Sequence, residues 1–155
     1  MYVNYSTTMF FAMCPTSPGE TPFMNYWLLK TEPTAYSFDD LLREGTTRWN
    51  GVSNPVALKN IRAMKKGDQV FIYHTGKEKR IVGIAEVVSD AYPDPKAKNL
   101  VVIDLKARAG VRTPVTLAAV KAKKEFADFL LVRLPRLSVM PVSAAQWKSL
   151  LAMSD

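Results

Sequence analysis

Three β-rich runs follow one another along this chain, with connections too short to carry a helix between them. The runs cover residues 70–73, 81–88 and 100–105 and are dominated by valine, isoleucine, leucine and aromatic side chains. A crossover between parallel strands needs about a dozen residues or more, so repeated βαβ units do not fit. The spacing predicts an α+β fold, a small mixed β-barrel with short peripheral helices.

Terminal strands and capped helices complete the predicted domain. A buried first strand is predicted at 26–30 and a final strand at 137–140. Polar N-cap residues, a proline at a first helical position and a serine–glutamine capping box indicate four short helices. They are expected from Ser37 to Gly45, from Asn54 to Gly67, over 117–123 after Thr116, and onward from Ser143, the last with Ala144, Trp147 and Leu151 facing inward.

The composition is that of one globular domain preceded by a segment of different character. The 155 residues are 48% hydrophobic, and seven Phe, six Tyr and three Trp supply material for a core. Residues 1–23 contain no lysine or arginine and include a turn-rich stretch at 16–22. We expect residues 1–23 to form a poorly ordered extension and 24–155 to form the domain. The alternative is an arm that packs Phe10 and Phe11 onto the domain.

Several kinds of protein are excluded by what the sequence lacks. One cysteine, Cys14, cannot close a disulfide within the chain, and one cysteine with one histidine cannot build a usual zinc site. No apolar run approaches the roughly 18 residues of a membrane helix, and the start lacks the basic region of a secretory signal. We expect a cytoplasmic monomer with no metal, no cofactor and no membrane partner.

The charge balance favours a polyanionic partner without establishing one. Lysine and arginine number 21 against 14 acidic residues, a formal net charge of +7. A basic protein can bind nucleic acid by releasing counterions. The same charge can serve solubility alone, and composition supports the two explanations equally.

Enzyme motifs are scarce, whereas polar and aromatic residues cluster at predicted strand ends. The sequence has no phosphate-binding P-loop, nucleophile elbow or dinucleotide fingerprint. Trp49 stands among turn residues, where its ring could stack on a base, and Glu32 could accept a hydrogen bond from a cytosine amino group. In the competing interpretation, Trp49 plugs the barrel end and His74 caps a backbone carbonyl. The residues alone support the base-binding and the structural interpretation equally.

Seven sequence blocks, in this order and spacing, resemble the EVE domain. They are YWLLKTEP (26–33), WNGVSN (49–54), NIRAMKKGD (60–68), FIYHT (71–75), IVGIAEV (81–87), AYPDP (91–95) and RLSVMPV (136–142). The family has many small bacterial members. The resemblance implies a PUA-like fold with a pocket for a modified base, above all a modified cytosine, in DNA or RNA, and no catalysis.

The resemblance also assigns residues to this pocket. Trp49 is expected to stack on the base, Glu32, Asn54 and Ser138 to hydrogen-bond its edge, and His74 to orient them. A single-stranded or flipped nucleotide is the natural ligand. The implied lining is Thr31, Glu32, Trp49, Gly51, Val52, Asn54, Tyr73, His74, Thr75, Tyr92, Asp94, Leu137 and Ser138. The candidate phosphate contacts are Lys59, Arg62, Lys77, Lys79, Arg80, Lys96 and Lys98.

Three positions depart from the family pattern. Ser53 stands where the family usually has arginine, Pro55 where it has an aromatic residue, and Met140 where it has glutamine. These departures bear on the ligand more than on the fold. Two other functions stay open: an enzyme that acts on a nucleotide-like small molecule, and a protein-interaction module with a basic surface. In the enzyme, the acid or base would be Glu32, His74 or Asp94.

Overall fold

A mixed sheet of seven strands organises residues 25–155, the part of the chain that this computed structural model describes. The strands are β1 (Tyr26–Thr31), β2 (Thr46–Trp49), β3 (Gln69–His74), β4 (Arg80–Val87), β5 (Tyr92–Asp94), β6 (Ala97–Thr116) and β7 (Val139–Val142). The α-helices are α1 (Phe38–Glu44), α2 (Pro55–Ala63), α3 (Leu117–Lys121), α4 (Leu130–Arg133) and α5 (Ala144–Met153), and a 3₁₀-helix covers Lys124–Phe126. The expectations for residues 1–23, including Phe10, Phe11 and Cys14, lie outside the described residues.

The strand order is β2-β6-β4-β3-β1-β7, with β5 paired to β6. Only β1 and β3 run parallel, and the chain between them carries α1, β2 and α2. The pairs β3–β4, β4–β6, β2–β6 and β1–β7 are antiparallel. The predicted mixed α+β architecture is therefore confirmed, with a single long crossover in place of repeated ones.

The core lies under the central strands and is closed by the last helix. Leu28 and Leu29 of β1 and Phe71 of β3 have no solvent exposure. The Trp147 ring of α5 packs on Phe71, with 3.9 Å between ring centroids. The prediction that Trp147 faces inward is thus confirmed. Ala144 is exposed, contrary to prediction, because the buried side of α5 runs through Trp147 and Leu150.

The predicted helix starts are confirmed by the hydrogen bonds that cap them. The Ser37 and Ser143 side chains form reciprocal capping boxes, and Thr116 caps α3. The end of α2 was predicted too late: Met64 already has an extended backbone. The chain turns there because the Asp68 carboxylate accepts hydrogen bonds from the Lys65 amide and the Trp27 indole, each at 2.9 Å.

β6 and β2 differ most from their sequence predictions; in addition, β7 begins at Val139 and not at 137, and β5 was not predicted as a strand. β6 extends over 20 residues, far beyond the apolar run 100–105, because its polar second half still pairs with β4 across two register shifts. β2 was not predicted, since its four residues are mostly polar and form an edge strand on β6. No helix within residues 25–155 has the length and apolarity needed to cross a membrane.

Candidate functional site

A cleft of about 670 Å³ opens where the two ends of the strand order contribute to one surface. The end of β1 and the residue before β7 supply one side, and β2 with the loop at 50–54 supplies the other. Gly51 turns this loop with a φ of +80°. The lining is Lys30, Thr31, Glu32, Ala35, Tyr36, Glu44, Thr47, Arg48, Trp49, Asn50, Gly51, Val52, Ser53, Asn54 and Ser138.

Trp49 forms part of the cleft wall and part of the core at once. It is the last residue of β2, pairs with Ile103 and is only 8% exposed. Its predicted position in a turn was therefore wrong, because β2 itself was not foreseen. The Tyr36 ring meets it edge-on, with 6.3 Å between centroids and planes at 84°. This contact fixes the orientation of the indole against the cleft.

Glu32 is held at the cleft by short polar neighbours. One carboxylate oxygen accepts hydrogen bonds from the Thr34 amide (3.4 Å) and hydroxyl (3.3 Å), and the other accepts from the Thr75 hydroxyl at 3.3 Å. A β-carbon on Gly76 would come within 2.9 Å of the second oxygen. The glycine thus lets the backbone pass directly beside the carboxylate. With three of its roughly four lone-pair sites occupied, the carboxylate keeps one for a ligand.

A second carboxylate, Glu44, enters the cleft from the end of α1. The Tyr36 hydroxyl donates to it at 2.7 Å, while the Tyr36 carbonyl accepts from the Thr31 hydroxyl at 2.6 Å. Burial raises the pKa of the Tyr36 phenol, and the hydrogen bond to Glu44 raises it further. Tyr36 is therefore a protonated donor at neutral pH, and it links the end of β1 to the end of α1.

Two cations line the cleft, although the family's usual arginine is replaced by Ser53. Arg48 donates to the Tyr92 hydroxyl at 3.1 Å, which in turn donates to Asp104 at 2.7 Å. Tyr92 raises the pKa of the Arg48 guanidinium through this hydrogen bond. Burial lowers the pKa of the Lys30 ammonium, which lies 5.7 Å from the Tyr73 ring centroid. Tyr73 and Tyr92 thus support the two cations from behind the lining.

Asn54 caps a helix as well as lining the cleft. Its side-chain oxygen accepts hydrogen bonds from the amides of Val56 (2.9 Å) and Ala57 (3.1 Å) and so caps α2. Its amide nitrogen remains as the group that could meet a ligand. Ser138 lies opposite, with its backbone carbonyl accepting from the Lys30 amide at 2.9 Å.

His74 lies behind the cleft and holds the start of α1. It is 7% exposed, and its Nε2 accepts a hydrogen bond from the Phe38 amide at 3.0 Å. Nδ1 must then carry the proton, which it donates to Glu78 at 2.8 Å. This hydrogen bond is the main cause of the lowered pKa of Glu78. The alternative that His74 caps a backbone carbonyl does not hold, because its backbone partner is an amide.

The cleft unites about half of the residues assigned to it by resemblance. Seven of them line it: Thr31, Glu32, Trp49, Gly51, Val52, Asn54 and Ser138. Six lie outside its lining: Tyr73, His74, Thr75, Tyr92, Asp94 and Leu137. Glu32, His74 and Asp94, considered above as acid or base, therefore do not share the cleft, and Asp94 is buried against the Lys96 amide.

Eight further residues line the cleft without having been predicted as part of the pocket: Lys30, Ala35, Tyr36, Glu44, Thr47, Arg48, Asn50 and Ser53. Thr47 and Arg48 precede Trp49 in β2, so prediction of that strand would have drawn attention to them as neighbours of the proposed stacking residue. The candidate phosphate contacts are all exposed: they lie on α2 (Lys59, Arg62), in the connection from β3 to β4 and at the start of β4 (Lys77, Lys79, Arg80), and after β5 and at the start of β6 (Lys96, Lys98). Residues 25–155 hold no group of three or more His, Cys, Asp or Glu that could bind a metal ion.

The mixed sheet with a polar and aromatic cleft at its edge defines a small α+β domain of the PUA-like class. In a comparison with known protein families, residues 25–153 of the chain match the EVE domain. The chain belongs to the EVE domain family.

Solved structures of similar fold come from a bacterium, a protozoan and human, which are distantly related to one another. A protein of Rhodopseudomonas palustris is 44% identical, with a TM-score of 0.81 over 84% of this chain and 93% of its own. A Leishmania major protein is 36% identical, with a TM-score of 0.80 over 85% and 95%. The human THYN1 protein, solved in complex with 5-methylcytosine-containing DNA, is 24% identical, with a TM-score of 0.78 over 84% and 98%. At that identity the human structure shows the common fold.

Among curated proteins, thymocyte nuclear protein 1 of Gallus gallus is 44% identical over 92 residues, which are 50% of this chain. The match covers 38% of that relative's own length, and 36% of the rat protein of the same name. This chain therefore spans well under half of these relatives.

Proposed function

We propose that this chain binds a modified base, above all a modified cytosine, within nucleic acid, and that it performs no chemistry on the base. The cleft carries the proposal, because it combines the wall formed by Trp49 with carboxylates from Glu32 and Glu44 in one concave space. Its volume of about 670 Å³ is within the range of small-ligand sites. The human relative in complex with 5-methylcytosine-containing DNA lends further support.

The chemistry of the lining suits a cytosine. Trp49 offers an aromatic surface for stacking, worth about 1–3 kcal/mol per base. Glu32 or Glu44 can accept from the N4 amino group, and Ser138 can donate to the ring acceptors. Val52, which lines the same space, gives a methyl group at C5 an apolar neighbour. A base can enter such a cleft only when it is unstacked, as in a single strand or a flipped nucleotide.

The proposal is tested by fluorescence anisotropy with labelled short single strands of DNA and RNA. Each strand carries one cytosine, unmodified or bearing a 5-methyl, 5-hydroxymethyl or N4-acetyl group. We expect one modified strand to bind several-fold more tightly than its unmodified counterpart. Glu32→Gln should weaken binding of the strands whose cytosine has a free N4 amino group, modified at C5 or not, because an amide offers one oxygen acceptor where the carboxylate offers two.

Leu42→Ala is the matched control, since Leu42 is exposed on α1 and lies outside the cleft. It should bind as the wild type does. Equal affinity of the wild type for all strands, or unchanged strand affinity in Glu32→Gln, Glu44→Gln and Trp49→Phe alike, would refute the proposed reader function.

A further inference from the structure

An apolar groove flanked by arginines lies beside the cleft and has no part in the function proposed above. Val56 is 53% exposed and Leu134 is 47% exposed, which is unusual for large aliphatic side chains. With Pro135 and Leu137 they line a space of about 360 Å³, completed by Asn54, Arg133 and Arg136. We call these seven residues the rim groove.

The rim groove is continuous with the cleft. Asn54 lines both spaces. Lys30 lines the cleft, and its ammonium donates a 2.7 Å hydrogen bond to the carbonyl of Pro135 in the rim groove. Leu137 and Ser138 are consecutive and line the groove and the cleft, respectively. A chain molecule with one unit in the cleft can therefore place its next unit in the groove.

The charges of the rim groove match a polyanion. Arg133 and Arg136 are both exposed, and neither forms an ion pair with any side chain in residues 25–155. A guanidinium group recognises phosphate oxygens with paired hydrogen bonds. Exposed aliphatic and proline side chains pack against, or wedge between, bases that have lost a stacking neighbour. Each nucleotide of a nucleic acid offers both chemistries, a phosphate and the face of a base.

We propose that the rim groove binds the nucleotide next to the one held in the cleft. Val56 and Leu134 pack on the face of the neighbouring base, and Arg133 and Arg136 contact its phosphates. This inference rests on the proposed function and adds to it a cause of preference for a polynucleotide over a free nucleoside. A nucleoside fills the cleft alone and gains nothing from the groove.

The test compares two probes in isothermal titration: free 5-methyl-2′-deoxycytidine and a short single strand of DNA carrying one 5-methylcytosine. The variants are the pair Arg133→Gln with Arg136→Gln and the pair Val56→Ser with Leu134→Ser, all at exposed positions. Arg112→Gln is the matched arginine control, because Arg112 is exposed on β6 and lines neither the cleft nor the groove.

Both double variants should bind the strand about tenfold more weakly and the nucleoside as the wild type does. The arginine pair should also reduce the slope of log affinity against log salt by about 1.4, at about 0.7 for each phosphate contact on a single strand. The aliphatic pair should leave that slope unchanged.

Three results would overturn the inference. Unchanged strand affinity in both double variants would leave the groove without a role, and a protein partner would then be its better occupant. Equal loss for strand and nucleoside would show that the groove acts only through the shape of the cleft. If the wild type binds neither probe, the proposed function fails, and this inference fails with it.

Discussion

At the scale of single residues, the cleft depends on side chains that lie behind its lining. His74 accepts from the Phe38 amide, and the Phe38 ring covers Gly83 of β4. Composition and spacing could not reveal these roles, because a histidine at a strand end is equally compatible with ligand binding and with packing. Only the three-dimensional neighbours decide, and here they make His74 a positioning residue for α1.

Removing the imidazole should destabilise the start of α1. His74→Ala leaves the buried Phe38 amide without an acceptor, which costs about 1–3 kcal/mol, and we expect that loss in the free energy of unfolding measured with urea. His74→Gln, which keeps a side-chain acceptor, should recover part of it. Equal stability of wild type and His74→Ala would contradict the assigned hydrogen bond.

The Glu78 carboxylate makes the stability depend on pH in a defined direction. The hydrogen bond from His74 holds the pKa of Glu78 below its ordinary value of 4.5. The ionised Glu78 carboxylate therefore contributes to stability above pH 4.5. The contribution is lost as pH falls through the folded-state pKa. The stability advantage of wild type over Glu78→Gln should therefore be constant near neutral pH and shrink below about pH 4.5. An advantage that grows on acidification would reverse the sign and contradict the assignment.

Gly83 should not tolerate a side chain, whereas Gly110 on the neighbouring strand should. A β-carbon at Gly83 would lie 2.3 Å from the Phe38 ring, but at Gly110 its nearest neighbour is 3.8 Å away. Overpacking of this kind costs about 1–3 kcal/mol. Thermal unfolding should show a clear drop for Gly83→Ala and little change for Gly110→Ala. The same effect in both variants would argue against a specific contact with Phe38.

At the scale of elements, local signals predicted the helices that have a side-chain cap, but missed α4 and the 3₁₀-helix, which have none, and predicted edge strands poorly. The caps at Ser37, Asn54 and Ser143 hold as predicted, because a cap depends on a few adjacent residues. β2 and the second half of β6 escaped prediction, since their pairing is long-range and their side chains are mixed in polarity. Missing β2 also meant missing Thr47 and Arg48 as cleft residues.

The cap and the cleft roles of Asn54 can be separated. Asn54→Ala should cost about 1 kcal/mol of stability by removing the acceptor for two amides at the start of α2. Asn54→Ser keeps a capping oxygen and should stay close to wild-type stability. If the amide nitrogen also contacts the base, both variants should bind more weakly. Chemical denaturation measures the stability, and titration of a modified strand measures the binding. An Asn54→Ala variant as stable as the wild type would contradict the cap role.

At the scale of the whole molecule, the fold class and the family were predicted from different features of the sequence. Strand-forming runs and short turns predicted an α+β fold with a mixed sheet, and the order of seven sequence blocks resembled the EVE domain, which the family comparison bears out. The site was only half foreseen, because the cleft joins the two ends of the strand order. Residues distant in sequence, such as Glu44 and Ser138, meet there.

The most direct test of base reading is quenching of Trp49 fluorescence. Trp27 donates to Asp68 and Trp147 packs on Phe71, and neither lines the cleft, so ligand-dependent quenching should come from Trp49. Titration with free and strand-borne modified cytosines should give saturable quenching with one of them. Trp49→Phe should abolish the signal while circular dichroism shows an intact fold. Folded wild-type protein with no response to any of these ligands would contradict a base-reading cleft.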